Sequence, residues 1–262
     1  ETFFRILVYR TMEKDKTKYM KTLIYTTAVN TKDRAINDID IFDTTKISWE
    51  HYCKRHNIDF YVIDKPQHPD TSPHWFRYWI FDLKPDYDRY LYVDTDIMVK
   101  WDAPNIFELY DAEQIHAVRD NSGLSWIWEG LHGYQSMFPD TKVDWTTYFN
   151  SGMMLFSKKH KTIINHFKEF YISNQSIIME YREKLRKGFD QTIFNYFVAW
   201  YGDKVNLISE EWNLFHMIRR EILYNGYFIN MGYFWHFNGL DRNTQVQQIQ
   251  NIWTQIGENY EK

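Results

Sequence analysis

The chain is poor in the residues that cross-link or punctuate a fold. It has one cysteine, Cys53, six prolines and ten glycines in 262 residues. A lone cysteine excludes an intrachain disulfide and a zinc site built on several thiolates. It also fits a reducing compartment. No apolar run approaches the ~18–20 residues of a membrane-spanning helix, and nothing has the layout of a signal peptide. The expected location is therefore the cytoplasm, with no transmembrane segment. Positive charge is not in excess: 31 Lys and Arg face 35 Asp and Glu, a net charge of −4. That argues against nucleic acid as a partner. Linkers, internal repeats and low-complexity tracts are also missing, so a single domain over 1–262 is expected.

What the chain has in plenty is aromatic surface. Eleven Trp, 20 Tyr and 19 Phe bring the aromatic share to 19% and the hydrophobic share to 44%. This composition excludes disorder and suits a core with an aromatic-lined cleft. Strand-like stretches at 3–9, 23–28, 59–63, 90–99, 115–118, 149–156 and 205–208 alternate with helical patterns at 44–56, 75–83, 160–186, 190–197 and 245–260. Alternation of this kind predicts βαβ units and a mostly parallel sheet.

The stretch 90–99 is apolar apart from Asp94, Thr95 and Asp96. It reads as a strand covered on both faces. Two carboxylates one residue apart at its end repel each other, and burial raises the cost of either charge. A divalent cation removes both problems, and Mg²⁺ or Mn²⁺ prefers such oxygen ligands together with substrate phosphates. The competing reading of the same tripeptide is a solvated turn or a helix N-cap. Thr26, Thr27 and Ala28 close an earlier strand with side chains small enough to admit a nucleotide, or simply end it. Arg77 lies off the apolar stripe of its helical segment, where a solvated residue is as well accommodated. Asp190 reads as the N-cap of its helix. His236, between Trp235 and Phe237, reads by itself as a core histidine. Residues 120–148 form a long aromatic stretch without clear periodicity, expected as a functional loop. Trp126 and Trp128 are its candidates for stacking on an acceptor sugar.

Four segments taken in order resemble a metal-dependent GT-A glycosyltransferase, closest to family 8. They are the strand with Asp94-Thr95-Asp96, then Phe149-Asn150-Ser151-Gly152, then Phe189-Asp190-Gln191, then His236-Phe237-Asn238-Gly239. The resemblance runs from about Lys21 to Arg242. It implies an α/β fold of GT-A type, one Rossmann-like α/β/α sandwich with a mostly parallel central sheet. Residues 1–20 would be an N-terminal extension and 244–262 a C-terminal helix. The resemblance implies Asp94, Asp96 and His236 as ligands of Mn²⁺ or Mg²⁺. Asp190 and Gln191 would lie at the anomeric carbon as the catalytic pair. Thr26, Thr27, Ala28, Arg77, Thr95, Asn150, Ser151 and Gly239 would meet the donor. Where the family often carries a lysine after the histidine motif, this chain has Leu240-Asp241-Arg242, and Arg242 would take over the diphosphate contact. The implied donor is a nucleoside-diphosphate sugar, UDP-linked first. The implied acceptor is a glycan, glycolipid or glycoprotein. Transfer is expected with retention, by front-face displacement.

Two other readings compete. One is a non-catalytic carbohydrate-binding domain on the same fold. The other is a phosphatase of the haloacid dehalogenase type, in which the first Asp is a nucleophile. The mid-chain position of the motif, Met98 where a Thr is expected and the lack of a later acidic pair oppose it.

Overall fold

The structure, a computed structural model, describes residues 20–29, 39–69, 71–121, 123–215, 217, 223 and 226–261. The strand expected at 3–9 and the charged loop after Val29 lie outside them. Six strands form the main sheet: β1 (Thr22–Thr27), β2 (Asp59–Ile63), β3 (Arg89–Val93), β5 (Ile115–Arg119), β6 (Phe149–Ser157) and β7 (Val205–Ile208). Their spatial order is β2-β1-β3-β6-β5-β7. β1 runs parallel to β2 and β3, and β5 parallel to β7. β6 alone runs against its neighbours β3 and β5. The sheet is mostly parallel, as expected.

Burial explains why the strands read as continuous apolar runs. Every residue of β3 and of β6 is buried. Successive side chains point to opposite faces, so one strand feeds two cores. Tyr25, Tyr90, Tyr92 and Phe156 pack on one face against Trp75, Tyr78 and Phe167. Ile24, Leu91, Val93 and Leu155 pack on the other against Trp49, Tyr52 and Trp212. The helices of the first face are α2 (73–83, tightened to a 3₁₀ turn over Arg77–Trp79), α4 (Leu124–Tyr134), α5 (Lys161–Leu185) and α6 (Phe189–Tyr201). The second face carries α1 (Ile39–His56), and α3 (Ile106–Leu109) adds Ile106 and Phe107 to it. The C-terminal helix α7 (Arg242–Ile256) is capped by Asp241, which accepts from the Thr244 N–H at 3.1 Å. It buries Ile249, Ile252 and Ile256 against Trp235 and Phe237.

Three local readings change. The stretch 90–99 is two strands, because the chain turns at 94–96 and β4 (Ile97–Val99) leaves the main sheet. β4 pairs antiparallel with β8 (Phe234–His236), opposing Ile97 to His236. Helix α1 holds that ribbon: the Trp49 indole donates to the Ile97 carbonyl at 2.8 Å and the Val99 N–H to Ser48 Oγ at 3.2 Å. The stretch 120–148 is not one irregular loop. Ile127, Leu131 and Tyr134 supply a buried helical stripe for α4, which aromatic crowding hides in the sequence. Asp190 does not cap α6. Gly188 is the cap residue, at φ 72°, and Asp190 is buried in the first turn.

The antiparallel run of β6 positions the site. Ligands of open α/β sheets collect beyond the C-terminal ends of parallel strands. Reversal of β6 brings its N-terminal end to that edge, and the Asp94 N–H donates to the Gly152 carbonyl at 2.8 Å. Leu155 lies at the centre of β6, fully buried. Leu155→Ala is expected to cost about 2–5 kcal/mol, read as a lower denaturant midpoint at unchanged slope.

Candidate active site

Asp94 and Asp96 sit in the turn between β3 and β4, and His236 closes β8 opposite them. One ligand atom from each lies within 4.8 Å of the other two. His236 Nε2 is 3.3 Å from Asp96 Oδ1 and 4.0 Å from Asp94 Oδ2. It is buried, yet it makes no hydrogen bond of acceptable geometry among the described residues. An unsatisfied buried ring nitrogen facing two carboxylates costs free energy unless a proton or a cation fills the gap. The space is kept open by Gly152, where a Cβ would come 2.6 Å from Asp94 Oδ2 and 2.8 Å from His236 Cε1. One imidazole, two carboxylates and a cradle without a side chain fit Mn²⁺ or Mg²⁺.

Arg77 is buried behind this cluster, contrary to the solvated reading of its sequence position. Its Nη2 lies 3.1 Å from Asp94 Oδ1 and its Nε 3.6 Å from Asp190 Oδ2. Its guanidinium also stacks 4.2 Å from the centre of the Tyr92 ring. Tyr92 donates to Asp94 Oδ1 at 2.6 Å and Tyr78 to Asp190 Oδ2 at 3.1 Å. The two carboxylates beside Arg77 are pushed apart. Burial works to raise Asp94, but Arg77, His236 and the Tyr92 hydroxyl outweigh it and hold the carboxyl below its ordinary range. At Asp190 burial prevails over Arg77 and raises it. Burial pulls His236 down, but Asp96 and Asp94 win and raise it. Unequal tuning of neighbouring groups is common at functional sites.

A ladder of amides runs from His236 under the cleft floor. Asn213 Oδ1 is 2.8 Å from His236 Nδ1, and Asn213 Nδ2 donates to Asn150 Oδ1 at 3.1 Å. Asn150 donates to Gln191 Oε1 at 2.9 Å, and Gln191 donates to Asp120 Oδ2 at 2.7 Å. Above this floor lies a cavity of about 500 Å³, lined among others by His74, Arg77, Trp126, Phe189 and Gly239.

Of the residues singled out in the sequence, Arg77, Asp94, Asp96, Trp126, Asn150, Ser151, Asp190, Gln191, His236 and Gly239 line this one cavity. Thr26, Thr27 and Ala28 sit at the end of β1 outside its lining. The buried Thr26 and Thr27 hydroxyls find no partner among the described residues. Thr95 also stays outside, and its carbonyl accepts from Thr45 Oγ1 at 2.7 Å. Trp128 is 53% exposed on α4, with its ring 4.4 Å from that of His132, and does not line the cleft. Arg242 opens α7, and its side chain lies outside the described residues. Sequence reasoning missed Tyr78, Tyr92, Asp120 and Asn213. Tyr92 reads as part of the apolar strand, Tyr78 lies off the apolar stripe of its helical segment, and Asn213 stands in a stretch without periodicity. Gly152 was legible as part of a motif, but its contact with the ligand atoms was not.

The acidic cleft lies at the edge of a mostly parallel α/β sheet. The profile of "Glycosyl transferase family 8" matches residues 4–249, and the chain belongs to that family. No curated protein sequence matches it. Among solved structures, one similar fold is a glycosyltransferase involved in the glycosylation of the major capsid of PBCV-1. It superposes with a TM-score of 0.58 at 15% identity, over 88% of this chain and 99% of that one. The galactosyltransferase LgtC, in complex with donor and acceptor sugar analogs, gives 0.52 at 14% identity, over 90% and 95%. The bifunctional glycosyltransferase WbbM gives 0.51 at 15%, over 93% of this chain and 52% of its own. At such identities the shared property is the fold.

Gly152→Ala tests the cradle. Its methyl group would push into Asp94 and His236 rather than into open space. The variant is expected to weaken Mn²⁺ binding by at least about tenfold, the lower end of what misplaced ligands cost. Unchanged Mn²⁺ affinity in a folded variant would show that the three groups do not act together.

Proposed function

We propose that the chain transfers a sugar from a nucleoside-diphosphate sugar, UDP-linked first, to a hydroxyl of a glycan, glycolipid or glycoprotein, with Mn²⁺ or Mg²⁺ and with retention. The observation that carries this reading is the convergence, in one cleft, of Asp94, Asp96 and a His236 Nε2 that has no hydrogen-bond partner among the described residues. The sugar donor and acceptor analogs bound to LgtC add weight. The bound cation neutralises charge on the departing diphosphate without a proton donor.

The protein groups divide the remaining work. Asp94, Asp96 and His236 would hold the cation, which would supply positive charge toward the departing diphosphate. Arg77 orients Asp94 and Asp190 together, being within ion-pair distance of both. Asp190 faces the transferred sugar from the first turn of α6, its position fixed by Tyr78. Gln191 lies beside it but is not free to attack. Its Oε1 already accepts from Asn150 Nδ2 and from the Ser151 N–H at 3.1 Å. An amide oxygen with both lone pairs engaged is a poor nucleophile, which favours front-face displacement over a covalent intermediate on Gln191. Trp126 offers an apolar face in the cleft for the acceptor ring. Thr26, Thr27, Ala28 and Thr95 take the nucleoside end, Asn150, Ser151 and Gly239 the sugar-diphosphate, and Arg242 the distal phosphate. Trp128 extends the acceptor surface beyond the cleft mouth.

Thermal unfolding is the direct test. A ligand at ~100 times its Kd stabilises the native state by about 2.7 kcal/mol, which for a chain of this size is on the order of 5 °C in Tm. UDP with Mn²⁺ is expected to give that shift and UDP with EDTA much less. Asp96→Asn is expected to keep the fold and lose transfer by on the order of 10²–10³-fold, the scale of removing one group that stabilises transition-state charge. A Tm indifferent to every nucleoside diphosphate in Mn²⁺, or an Asp96→Asn variant with normal turnover, would overturn the proposal.

A further inference from the structure

The amide ladder under the cleft has only one consistent set of hydrogen positions. Two of its contacts come from backbone N–H groups, which can only donate. The Gly152 N–H lies 2.8 Å from the Asn150 side chain, so the atom it meets is the oxygen. The Ser151 N–H lies 3.1 Å from the Gln191 side chain, so that atom is an oxygen too. Each amide then turns its nitrogen the other way. Asn150 donates to the Gln191 oxygen, and Gln191 donates to the Asp120 carboxylate. No link in the ladder sets donor against donor, so orientations usually left to inference at such amides are dictated here.

The same logic reaches His236. The Asn213 side chain touches the Asn150 oxygen, so the touching atom is the Asn213 nitrogen. The remaining Asn213 atom is the oxygen, and it lies 2.8 Å from His236 Nδ1. An oxygen that only accepts needs a hydrogen on Nδ1. Asn213 is fully buried, so no solvent exposure relaxes the constraint. The bare lone pair of the neutral ring is therefore on Nε2, the atom facing Asp94 and Asp96.

We infer that Asn213 is a positioning residue that fixes His236 as the Nδ1–H tautomer and keeps Nε2 open as a ligand atom. The inference rests on the proposal that Asp94, Asp96 and His236 hold a divalent cation. Without Asn213 the metal-free ring has a better alternative. A small turn of the ring would let Nε2–H donate to Asp96 Oδ1, which at 3.3 Å is outside hydrogen-bond geometry as it stands, and this tautomer blocks the ligand position. Loss of the hydrogen-bond partner of a metal-ligating histidine commonly changes metal affinity by about 10–100-fold. The ladder also joins the cation site to Gln191, so the two halves of the cleft are ordered by the same amides.

The experiment reads the tautomer and the affinity separately. Protein carrying ¹⁵N-labelled histidine is treated with EDTA and studied by long-range ¹H–¹⁵N correlation at alkaline pH, where the ring is neutral. Native protein is expected to show His236 with hydrogen on Nδ1; hydrogen on Nε2 would overturn the inference before any variant is made. Asn213→Leu, close in size and unable to accept, is expected to move the hydrogen to Nε2. It is also expected to raise the Mn²⁺ Kd, measured by calorimetry, by about 10–100-fold. Asn213→Asp keeps an acceptor toward Nδ1, though it loses the N–H that meets Asn150 Oδ1, and is expected to restore the native tautomer. A native tautomer and native Kd in folded Asn213→Leu would contradict the inference, as would an Asp variant with the hydrogen on Nε2. If native protein binds no Mn²⁺ at all, the cation proposal fails, while the tautomer measurement still decides what Asn213 does.

Discussion

The structure depends on how the Asp94 carboxylate is kept ionised at the end of a buried strand. Asp94 follows five buried residues of β3. Burial disfavours its charge, and Asp96 lies two residues on. The fold answers first with Arg77, a buried guanidinium held between Asp94 and Asp190 and stacked on Tyr92. It answers next by turning the chain, so that Asp96 leaves the main sheet for the β4–β8 ribbon and meets His236. What remains is Asp96, which among the described residues has only His236 within ion-pair distance. Arg77 is committed to Asp94 and Asp190, and His236 Nε2 has no hydrogen-bond partner among the described residues. On the proposed function, a cation and the phosphates that complete its shell would fill that gap.

Sheet topology follows from the same requirement. A wholly parallel sheet would present only strand C-termini at this edge. β6 reverses and delivers its opening residues, Asn150, Ser151 and Gly152, alongside Asp94. Gly152 leaves room for the ligand atoms, and Asn150 starts the amide ladder. Helix α6 begins at the same edge after Gly188, which is why Asp190 and Gln191 point into the cleft.

Much of this was legible in the residues, for local reasons. Period and composition identified the strands and helices of the sandwich, because two-faced burial leaves unbroken apolar runs such as 149–156. Asp94 and Asp96 stood out because charge is rare in such a run. His236 became readable only through its order relative to the other motifs, since a histidine among aromatics looks like core. The parts that were missed depend on contacts distant in sequence. Nothing near Ile97 announces a partner strand more than a hundred residues later. Asp190 looked like a helix cap because the local signal for a cap is an acidic residue at a helix start, whereas Tyr78 and Arg77 reach it from another element. Helix α4 was hidden because its buried stripe is interleaved with exposed Trp128 and Leu124.

If the site is incomplete until cation and diphosphate arrive together, their binding is coupled, and the coupling is the same from either side. Calorimetric titration measures it. Mn²⁺ is titrated into the protein with and without UDP, and UDP into the protein with Mn²⁺ and with EDTA. The account predicts that each ligand tightens the other by one common factor, about tenfold or more for a coupling beyond 1.4 kcal/mol. UDP binding with equal affinity in Mn²⁺ and in EDTA would contradict it.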